Sequence, residues 1–520
     1  MHRDLADPEL FGNEAGEDED VQVLASYFLA KQEFDRFYSP TRRFGIVRSR
    51  KGVGKSALLK QTMYRREIAD AGELLIYCKA SDLVALQDVK SDSPAELIYG
   101  WQQRLCSRVN LELGSNLRLA VSDDAIALVE GAELSGFKGR NLVSALLDRL
   151  QVRAGGIEVA RVRQVPSNSE ALLRRVLEKK DTTAWLFVDD IDATFLNTET
   201  ERLRASTFFS ACRNLVNTVM GLNIRVSVRT DVWSILAQHD ESLDKCEQYM
   251  LDLQWSTVET GRILENKILS YFQRFYPENG TYASLVASRD QRKIFGLIFK
   301  EPFHWGTRTV EPFRPIHVLS AGRPRWAAQL CKLAGKDAFA KATDRIALGH
   351  VRAVLRDYGQ SRVSDLYKEH RHQCPNLQDI IETFSGGPAK YNTSNLLRHL
   401  TDKVIQRWGM PELDGAPASQ GSISLAHFLY RVGFIAARDE SDPGGLGFVR
   451  YEDRPNLLSS TANLDDGLDW EIHPGYRDVL RIQAPKTQAE ATASIPTEQR
   501  VSRHRESRSR GPRRPRKSDQ

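Results

Sequence analysis

The stretch FGIVRSRKGVGKSALLK, residues Phe44–Lys60, decides the fold because it joins an apolar strand to a glycine-rich turn and the start of a helix. Gly52 and Gly54 allow backbone N–H groups to turn inward around a polyphosphate. Lys55 is then expected at the β- and γ-phosphates and Ser56 at Mg²⁺, above a helix N-terminus that favours the anion. The predicted nucleotide-binding loop consists of Ser49, Arg50, Lys51, Gly52, Val53, Gly54, Lys55, Ser56 and Ala57.

Ser49 is the unusual residue of this loop, because Gly or Ala is usual at its first position. Serine is small enough to fit there. Since Gly-Lys-Ser also occurs by chance in turns, the strand before it and the helix after it are what favour a phosphate site.

An acidic strand supplies the second half of the predicted site in WLFVDDID, residues Trp185–Asp192. Its apolar residues predict a buried parallel strand, and its carboxylates follow at the end where ligands bind in open α/β sheets. We expect Asp189 to hold Mg²⁺, directly or through water, and Asp190 to act as the base or to orient the attacking water. Asp192 is the reserve candidate, and otherwise a helix cap or loop carboxylate. The competing interpretation of the acidic pair is a solvated turn.

A third strand, Asn223–Val228, ends in Arg229 and Thr230. If its tip lies beside the acidic strand, it can present a polar side chain to the γ-phosphate. Arg229 is the predicted sensor and Thr230 the second candidate, while a surface arginine is the competing interpretation. Tyr249–Leu253 predicts a further short strand and Ser256–Phe275 an amphipathic helix.

The segment SAGRPRWAAQLCKLA, Ser320–Ala334, predicts a lid helix that begins at Pro324. Arg325 falls in its first turn, where it could reach the bound phosphates, and Arg323 is the alternative. A plain helix start explains the same residues in isolation. The predicted catalytic set is Asp190, Lys55, Arg229 and Arg325.

The chain resembles bacterial P-loop ATPases of the AAA+ and STAND type over about residues 20–360. The resemblance rests on four motifs in this order: RKGVGKSAL, FVDDID, VRTD and GRPR. Members of this group often act in anti-phage defence or signalling. The resemblance implies a RecA-like α/β core with a parallel sheet, a helical lid and ATP-driven switching, often with formation of a homo-oligomer or with a partner effector protein. The gap before the acidic strand is longer than usual, and no arginine finger is placed, Arg202 and Arg204 being only candidates.

Composition is consistent with this class. No apolar run approaches the roughly 20 residues that span a bilayer, and the N-terminus is acidic, unlike a signal sequence. We therefore expect a soluble, cytoplasmic protein without membrane contact. The six cysteines contain no Cys-x-x-Cys pair and predict reduced, mostly buried thiols, and HRHQC at 370–374 lacks the second ligand pair that a zinc site needs.

Charge is distributed unevenly along the chain. Residues 1–20 contain eight acidic groups against Arg3, whereas residues 500–520 contain nine Arg or Lys against Glu506 and Asp519. Such a basic, proline-rich and serine-rich tail cannot bury enough surface to fold alone. It predicts contact with the phosphate backbone of a nucleic acid. The alternatives are a solubilising tail and contact with the acidic N-terminus of a neighbour.

The C-terminal region predicts a winged-helix-like unit. Helical patterns at Leu377–Phe384, Tyr391–Trp408 and Ser424–Gly433 precede two strand-like runs around a glycine-rich turn. Its third helix has few basic residues, and Leu425, Phe428, Leu429 and Val432 are predicted core positions, so packing or regulation is at least as well supported as reading of bases. His473 is predicted to be structural.

The predicted organisation is an acidic disordered N-terminus at 1–20, a P-loop core at 21–255 with a helical insertion at about 91–180, a helical lid and connecting region at 256–374, a winged-helix-like domain at 375–482 and a basic disordered tail at 483–520.

The leading hypothesis is an ATP-binding and ATP-hydrolysing switch with Mg²⁺, in defence or in a nucleic-acid-related pathway. The alternative is a DNA- or RNA-binding adaptor that uses bound ATP structurally. A guanine-reading Asn-Lys-x-Asp motif is replaced by NKIL at 266–269, which favours ATP.

Overall fold

The computed structural model describes residues 4–16, 18–84, 91–116, 128, 132, 168–180, 182–193, 195, 197–305, 308–439 and 447–483. At its centre lies a parallel five-stranded sheet in the order β2-β3-β4-β1-β5. The strands are β1 (Phe44–Ser49), β2 (Leu74–Lys79), β3 (Ala184–Asp189), β4 (Leu222–Arg229) and β5 (Met250–Asp252). Every residue of β3 is buried, which explains its continuous apolar sequence. The prediction of a parallel α/β core is confirmed.

Helices cover both faces of this sheet. Strand β1 leads through the glycine-rich loop into α3, so the phosphate-binding motif lies at the carboxyl edge of a central strand. The described part of the predicted insertion at 91–180 is almost entirely helical, and the rest lies outside the described residues. The helices of this part are α1 (Val21–Tyr27), α2 (Asp35–Tyr38), α3 (Lys55–Ala69), α4 (Ala80–Val84), α5 (Pro94–Asn116), α6 (Ser169–Lys180), α7 (Glu199–Thr218), α8 (Thr230–His239) and α9 (Asp244–Glu247), with short 3-10 turns at Gln32–Phe34 and Glu241–Leu243.

A helical lid follows the core. Its first helix begins after Ser256, whose side chain and Glu259 form a reciprocal capping box, and its lid helix begins at Pro324 as predicted. These helices share one hydrophobic cluster. They are α10 (Thr257–Phe275), α11 (Gly280–Ser288), α12 (Gln291–Ile298), α13 (Phe313–Leu319), α14 (Pro324–Ala340), α15 (Leu348–Ala353) and α16 (Leu355–His370), with a small hairpin of β6 (Phe303–Trp305) and β7 (Arg308–Val310).

The C-terminal unit has the winged-helix outline, three main helices and a small antiparallel sheet in the order β12-β11-β13-β8. Leu425, Phe428, Leu429 and Val432 are all buried in its core. The elements are α17 (Leu377–Glu382), β8 (Lys390–Tyr391), α18 (Thr393–Leu400) continuing as a π-turn at Thr401–Ile405 and α19 (Gln406–Trp408), β9 (Glu412–Leu413), β10 (Ala416–Pro417), α20 (Ser422–Arg431), β11 (Ile435–Arg438), β12 (Phe448–Val449), β13 (Asp469–Ile472) and α21 (Pro474–Arg477).

The described part of the N-terminal segment, residues 4–16 and 18–20, is packed, so the prediction of a disordered acidic terminus is wrong for these residues. Leu5, Leu10 and Phe11 are each at most 1% exposed and belong to the hydrophobic cluster of the lid. Lys267 of α10 donates a 2.8 Å hydrogen bond to the carbonyl of Phe11. The prediction of disorder rested on the number of acidic residues and gave no weight to these three apolar side chains. Burying each of them favours folding by roughly 2 kcal/mol.

All six cysteines are buried and unpaired, as predicted. No helix among the described residues is long and apolar enough to cross a membrane.

Candidate nucleotide-binding site

A cavity of about 300 Å³ lies at the carboxyl edge of the sheet, and the P-loop forms its floor. Gly52 has φ +78° and Gly54 φ +120°, both in the region that favours glycine, so these two positions give the loop its shape. Lys55, 9% exposed, places its Nζ 3.4 Å from the carbonyl oxygen of Ser49. The predicted loop residues that line the cavity are Lys51, Gly52, Val53, Gly54, Lys55, Ser56 and Ala57.

The first two predicted loop residues do not line this cavity. Ser49 is buried in the strand and donates from its Oγ to the carbonyl of Arg50 at 3.1 Å. The Arg50 side chain turns to the C-terminal unit, where it donates to the carbonyl of Arg431 at 2.5 Å and forms an ion pair with Glu452. The guanidinium of Arg50 therefore has partners outside the cavity, and the assignment of Ser49 and Arg50 to the nucleotide-binding loop stays a prediction.

The acidic strand places its two aspartates differently. Asp189 is 1% exposed and accepts hydrogen bonds from the hydroxyl of Tyr77 at 2.5 Å and from the hydroxyl of Ser227, which lie on the neighbouring strands. It is not among the residues that line the cavity, and its role at Mg²⁺ stays a prediction. Asp190 does line the cavity and has φ +57°, a left-handed conformation that Asp tolerates better than most residues.

The donor set of the cavity fits Mg²⁺. Ser56, Asp190 and Asp192 all line the cavity. These oxygen atoms are of the kind that Mg²⁺ prefers when it also keeps waters and bridges phosphates. Within the described residues, no cluster of three or more His, Cys, Asp or Glu has the spacing of a metal site formed by the protein alone.

Arg229 is held at the cavity wall by two carboxylates. Its Nη2 lies 3.2 Å from Asp231 Oδ2, and its Nε lies 3.6 Å from Asp192 Oδ2. Burial lowers the pKa of Arg229, but Asp231 and Asp192 outweigh it and raise the pKa. For Asp192, burial dominates over Arg229 and raises the pKa. Thr230, the second sensor candidate, begins α8 and does not line the cavity.

Polar contacts of Asp231 extend into the connecting region. Asp231 Oδ2 lies 3.9 Å from His370 Nδ1 and 3.9 Å from His372 Nε2. Burial lowers the pKa of His372 to about 4, which keeps this imidazole neutral near pH 7. The segment that contains HRHQC thus packs against the tip of strand β4.

The lid helix closes the cavity from above. Arg325 lines the cavity, and its backbone N–H donates to the carbonyl of Gly52 at 3.3 Å. Arg323, the alternative, lies 2% exposed with its Nη1 at 2.9 Å from Glu369 Oε2, and it does not line the cavity. The structure thus brings Arg325, rather than Arg323, to the predicted phosphate position.

The wall of the cavity on the side of Trp255 and the N-terminal segment was not predicted from the sequence. Trp255 donates from Nε1 to the carbonyl of Val53 at 2.8 Å, and Gly16 lies so close to Ala57 that an added Cβ would be 2.8 Å from the Ala57 Cβ. These contacts join residues far apart in the sequence, and only the apolar pattern at 24–29 could have indicated this wall. Its residues are Asn13, Glu14, Gly16, Leu24, Tyr27, Phe28, Leu29, Trp255, Ile263 and Lys267.

Arg202 and Arg204, the candidate arginine fingers, lie on α7 and have partners within the chain. Arg202 donates from Nη1 to Asn197 Oδ1 at 2.9 Å, and the Arg204 guanidinium lies 5.8 Å from the centre of the Trp101 ring. Neither lines the cavity. The basic tail at 500–520 lies outside the described residues.

The sheet order, the glycine-rich loop before α3, the acidic strand tip and the lid helix define an α/β P-loop nucleotide-binding fold with a helical lid. No protein-family model matches this sequence, and no curated protein matches it significantly.

Solved structures with a similar chain path include origin-recognition proteins. The ORC2 protein of Aeropyrum pernix in its ADPNP-ADP complexes is 13% identical with a TM-score of 0.39, over 88% of this chain and 91% of that chain. The ORC1 protein of the same organism in complex with DNA is 14% identical with a TM-score of 0.31, over 88% and 90%. Drosophila ORC bound to DNA is 12% identical with a TM-score of 0.29, over 88% and 90%. At these TM-scores the similarity supports no conclusion about residue roles.

Proposed function

We propose that this protein is an ATP-binding and ATP-hydrolysing molecular switch that requires Mg²⁺. The observation that carries the proposal is that one cavity is lined by residues from four separate segments of the chain. These residues are Lys55, Ser56, Asp190, Arg229 and Arg325. Cations, a hydroxyl and a carboxylate then surround the space where a triphosphate would lie. The apolar wall with Trp255 offers a surface for the nucleobase.

In the proposed reaction, water attacks the γ-phosphate in line with the leaving group. Asp190 orients this water and accepts its proton, while Lys55, Arg229 and Arg325 stabilise the charge that develops on the phosphate oxygens. Ser56 would hold Mg²⁺, which would neutralise phosphate charge when bound. Asp192 and Asp231 keep Arg229 charged and fixed in direction.

The switch is proposed to act through the C-terminal unit. Arg50 lies in the loop that would bind phosphate, yet its side chain contacts Glu452 and the carbonyl of Arg431. Glu369 at the end of α16 approaches the backbone N–H of Lys51 at 3.4 Å. A change of loop conformation on ATP binding would therefore move contacts of both the connecting helix and the winged-helix-like unit.

The proposed setting is cytoplasmic, in anti-phage defence or a nucleic-acid-related pathway, with a homo-oligomer or an effector protein as partner. It rests on the sequence resemblance and on the arginine-rich tail at 500–520. That tail also favours a second candidate function, a DNA- or RNA-binding adaptor that holds ATP structurally. Apart from the disordered N-terminus, the domain boundaries predicted from sequence are part of the same proposal.

Hydrolysis of ATP by the purified full chain, with Mg²⁺, tests the proposal. We expect turnover in the wild type, loss of ATP binding in Lys55→Ala, and retained binding without turnover in Asp190→Asn. Equal rates for the wild type and Asp190→Asn contradict the role of Asp190. Nucleic-acid binding with no turnover in the wild type, and unchanged in Asp190→Asn, favours the adaptor instead.

A further inference from the structure

A second cavity, of about 480 Å³, adjoins the nucleotide cavity and shares Glu14, Lys51 and Arg325 with it. It lies between the lid helix α14 and the connecting helix α16. Trp326 and Gln329 contribute to one wall, and residues 360–369 contribute to the other. The proposed ATP reaction uses only the shared wall of this space.

The cavity has more cationic than anionic groups. Arg323 pairs with Glu369 at 2.9 Å, and Arg362 lies 3.1 Å from Asp365. The remaining charged residues of the wall are Lys51, Arg325, Lys368 and Glu14, and no ion pair joins any of them to another described residue. Three cations thus face one carboxylate in a space that is open to small solutes.

Arg362 provides an independent indication of a ligand. It is 3% exposed, and its Nε and Nη1 have no hydrogen-bond partner among the described residues. Its guanidinium lies 4.5 Å from the centre of the Trp326 ring and 4.9 Å from that of Tyr358, while its Nη2 donates to Gln329 on the lid helix. Buried donors without acceptors are costly, and a guanidinium fixed by aromatic rings is well suited to a phosphate oxyanion.

We propose that this cavity binds a phosphate group distinct from the phosphates held by the P-loop. The phosphate would lie among Lys51, Arg325, Arg362 and Lys368, with Arg362 supplying its free N–H groups. Because it would contact α14 and α16 together, it would hold the lid against the connecting helix. Through Lys51 and Arg325 its binding would be coupled to that of the nucleotide, and the coupling would be reciprocal.

Such a phosphate can belong to a separate small molecule or to the end of a polyphosphate chain that begins at the P-loop. Titration calorimetry with inorganic pyrophosphate, on the full chain saturated with ADP and Mg²⁺, tests the separate molecule. Comparison of adenosine 5′-tetraphosphate with ADP tests the chain. Pyrophosphate binding is also measured in Lys55→Ala, in which the P-loop site is disabled, so this result does not depend on ATP hydrolysis.

We expect saturable pyrophosphate binding in the ADP-filled wild type and in Lys55→Ala, weakened about fivefold by Lys368→Gln, as for loss of one exposed ion pair. Arg362→Gln should weaken it more, with its fold checked by circular dichroism. Arg356→Gln is the matched control, because Arg356 is exposed on the same helix and outside the cavity.

A Lys368→Gln effect that is confined to adenosine 5′-tetraphosphate, without pyrophosphate binding, assigns the phosphate to the nucleotide chain. The proposal is overturned if pyrophosphate does not bind and the tetraphosphate affinity is the same in the wild type and Lys368→Gln. It is also overturned if neither Lys368→Gln nor Arg362→Gln changes pyrophosphate affinity. Normal ATP turnover together with either result would leave the ATPase proposal intact.

Discussion

Arg50 in the phosphate-binding loop and Glu452 in the C-terminal unit form an ion pair, although they lie about 400 residues apart in the sequence. The side chains are 18% and 16% exposed, so solvent screens the pair only in part. Burial raises the pKa of Glu452, but Arg50 and Arg450 outweigh it and hold the pKa below its usual range. The P-loop is thereby tied to a unit that does not line the nucleotide cavity.

Glu452→Gln should weaken this tie. We expect about 1–3 kcal/mol of lost stability and a changed affinity for ATP, because the loop is released from one of its contacts. Thermal unfolding and nucleotide titration measure the two effects. Asp453→Asn is the control, since Asp453 is exposed and forms its ion pair with Arg450 at 3.6 Å. If Glu452→Gln and Arg50→Gln add independently in the double variant, the two side chains are not coupled.

Asp190→Asn should remove turnover while keeping the backbone of the strand tip. Asp190 has φ +57°, and Asn tolerates this conformation as well as Asp does. We expect kcat to fall by about 100-fold or more, with the dissociation constant for ATP within about twofold of the wild type. A parallel measurement on Asp192→Asn separates the two carboxylates. A larger loss of kcat in Asp192→Asn would move the role of base to that residue.

Gly54→Ala should disable the P-loop through its backbone. An added Cβ would have open space, its nearest neighbour being Leu253 Cδ2 at 4.0 Å, but φ +120° is unfavourable for alanine. We expect a cost of about 1–3 kcal/mol or a rearranged loop, and loss of nucleotide binding in either case. Gly349→Ala is the control, because Gly349 lies in helix α15 and a Cβ added there would point into open space. Unchanged affinity in Gly54→Ala would contradict the assignment of the loop geometry.

Phe11→Ala should destabilise the protein by about 3–5 kcal/mol, the usual cost of removing a buried phenylalanine side chain. Phe11 is fully buried, and the segment that follows it supplies Asn13, Glu14 and Gly16 to the nucleotide cavity. We therefore expect nucleotide affinity to fall as well. Phe275→Ala is the control because Phe275 is 50% exposed. Denaturant unfolding and nucleotide titration check both effects, and similar losses in the two variants would contradict the packing described for the N-terminal segment.

The free energy of unfolding should decrease as the pH is lowered, and His473 should contribute to this decrease. This imidazole accepts a 3.2 Å hydrogen bond from the N–H of Gly475, and burial lowers its pKa to about 3. The unfolded chain takes up a proton near pH 6.5 and the folded chain does not, so this stability is present above pH 6.5 and is lost as the pH falls toward 3. The slope is at most about 1.4 kcal/mol per pH unit for the group.

His473→Asn should reduce this slope, because asparagine can accept the same backbone hydrogen bond without titrating. Unfolding free energies between pH 7 and 4 measure the slope. His239→Gln, at an exposed position at the end of α8, should leave it unchanged. Identical slopes in the wild type and His473→Asn would exclude His473 as a source of the acid sensitivity.

The elements that the sequence predicted best carry strong local patterns. Strands β1, β3, β4 and β5 and the helix that begins at Pro324 follow from apolar runs and helix-start chemistry. Strand β2 was missed, because LLIYCK is a short run that periodicity alone does not assign. A local motif places Arg50 in the predicted nucleotide-binding loop, whereas the partner of its side chain, the carbonyl of Arg431, is 381 positions away in the sequence.

The cavity wall that contains Trp255 could not be predicted for a related physical reason. Trp255, Gly16 and Lys267 meet only because the sheet, the first lid helix and the N-terminal segment pack together. The disordered N-terminus was predicted from the charge of residues 1–20 alone, and charge gives no weight to the three apolar side chains that lie between the acidic residues. The site residues that sequence reasoning brought to the cavity correctly, Lys55, Asp190, Arg229 and Arg325, remain predictions as to their roles.

The packing of the N-terminal segment against the lid has a consequence for the order of folding. Phe11 contacts the ring of Phe299 with centroids 6.2 Å apart, and Tyr271 donates to Asp7 at 2.7 Å. The partners of residues 4–16 lie some 260 residues later in the sequence. Because synthesis proceeds at about 5–20 residues per second, many seconds pass between the synthesis of this segment and that of its partners. The part of the chain made early completes the nucleotide cavity late.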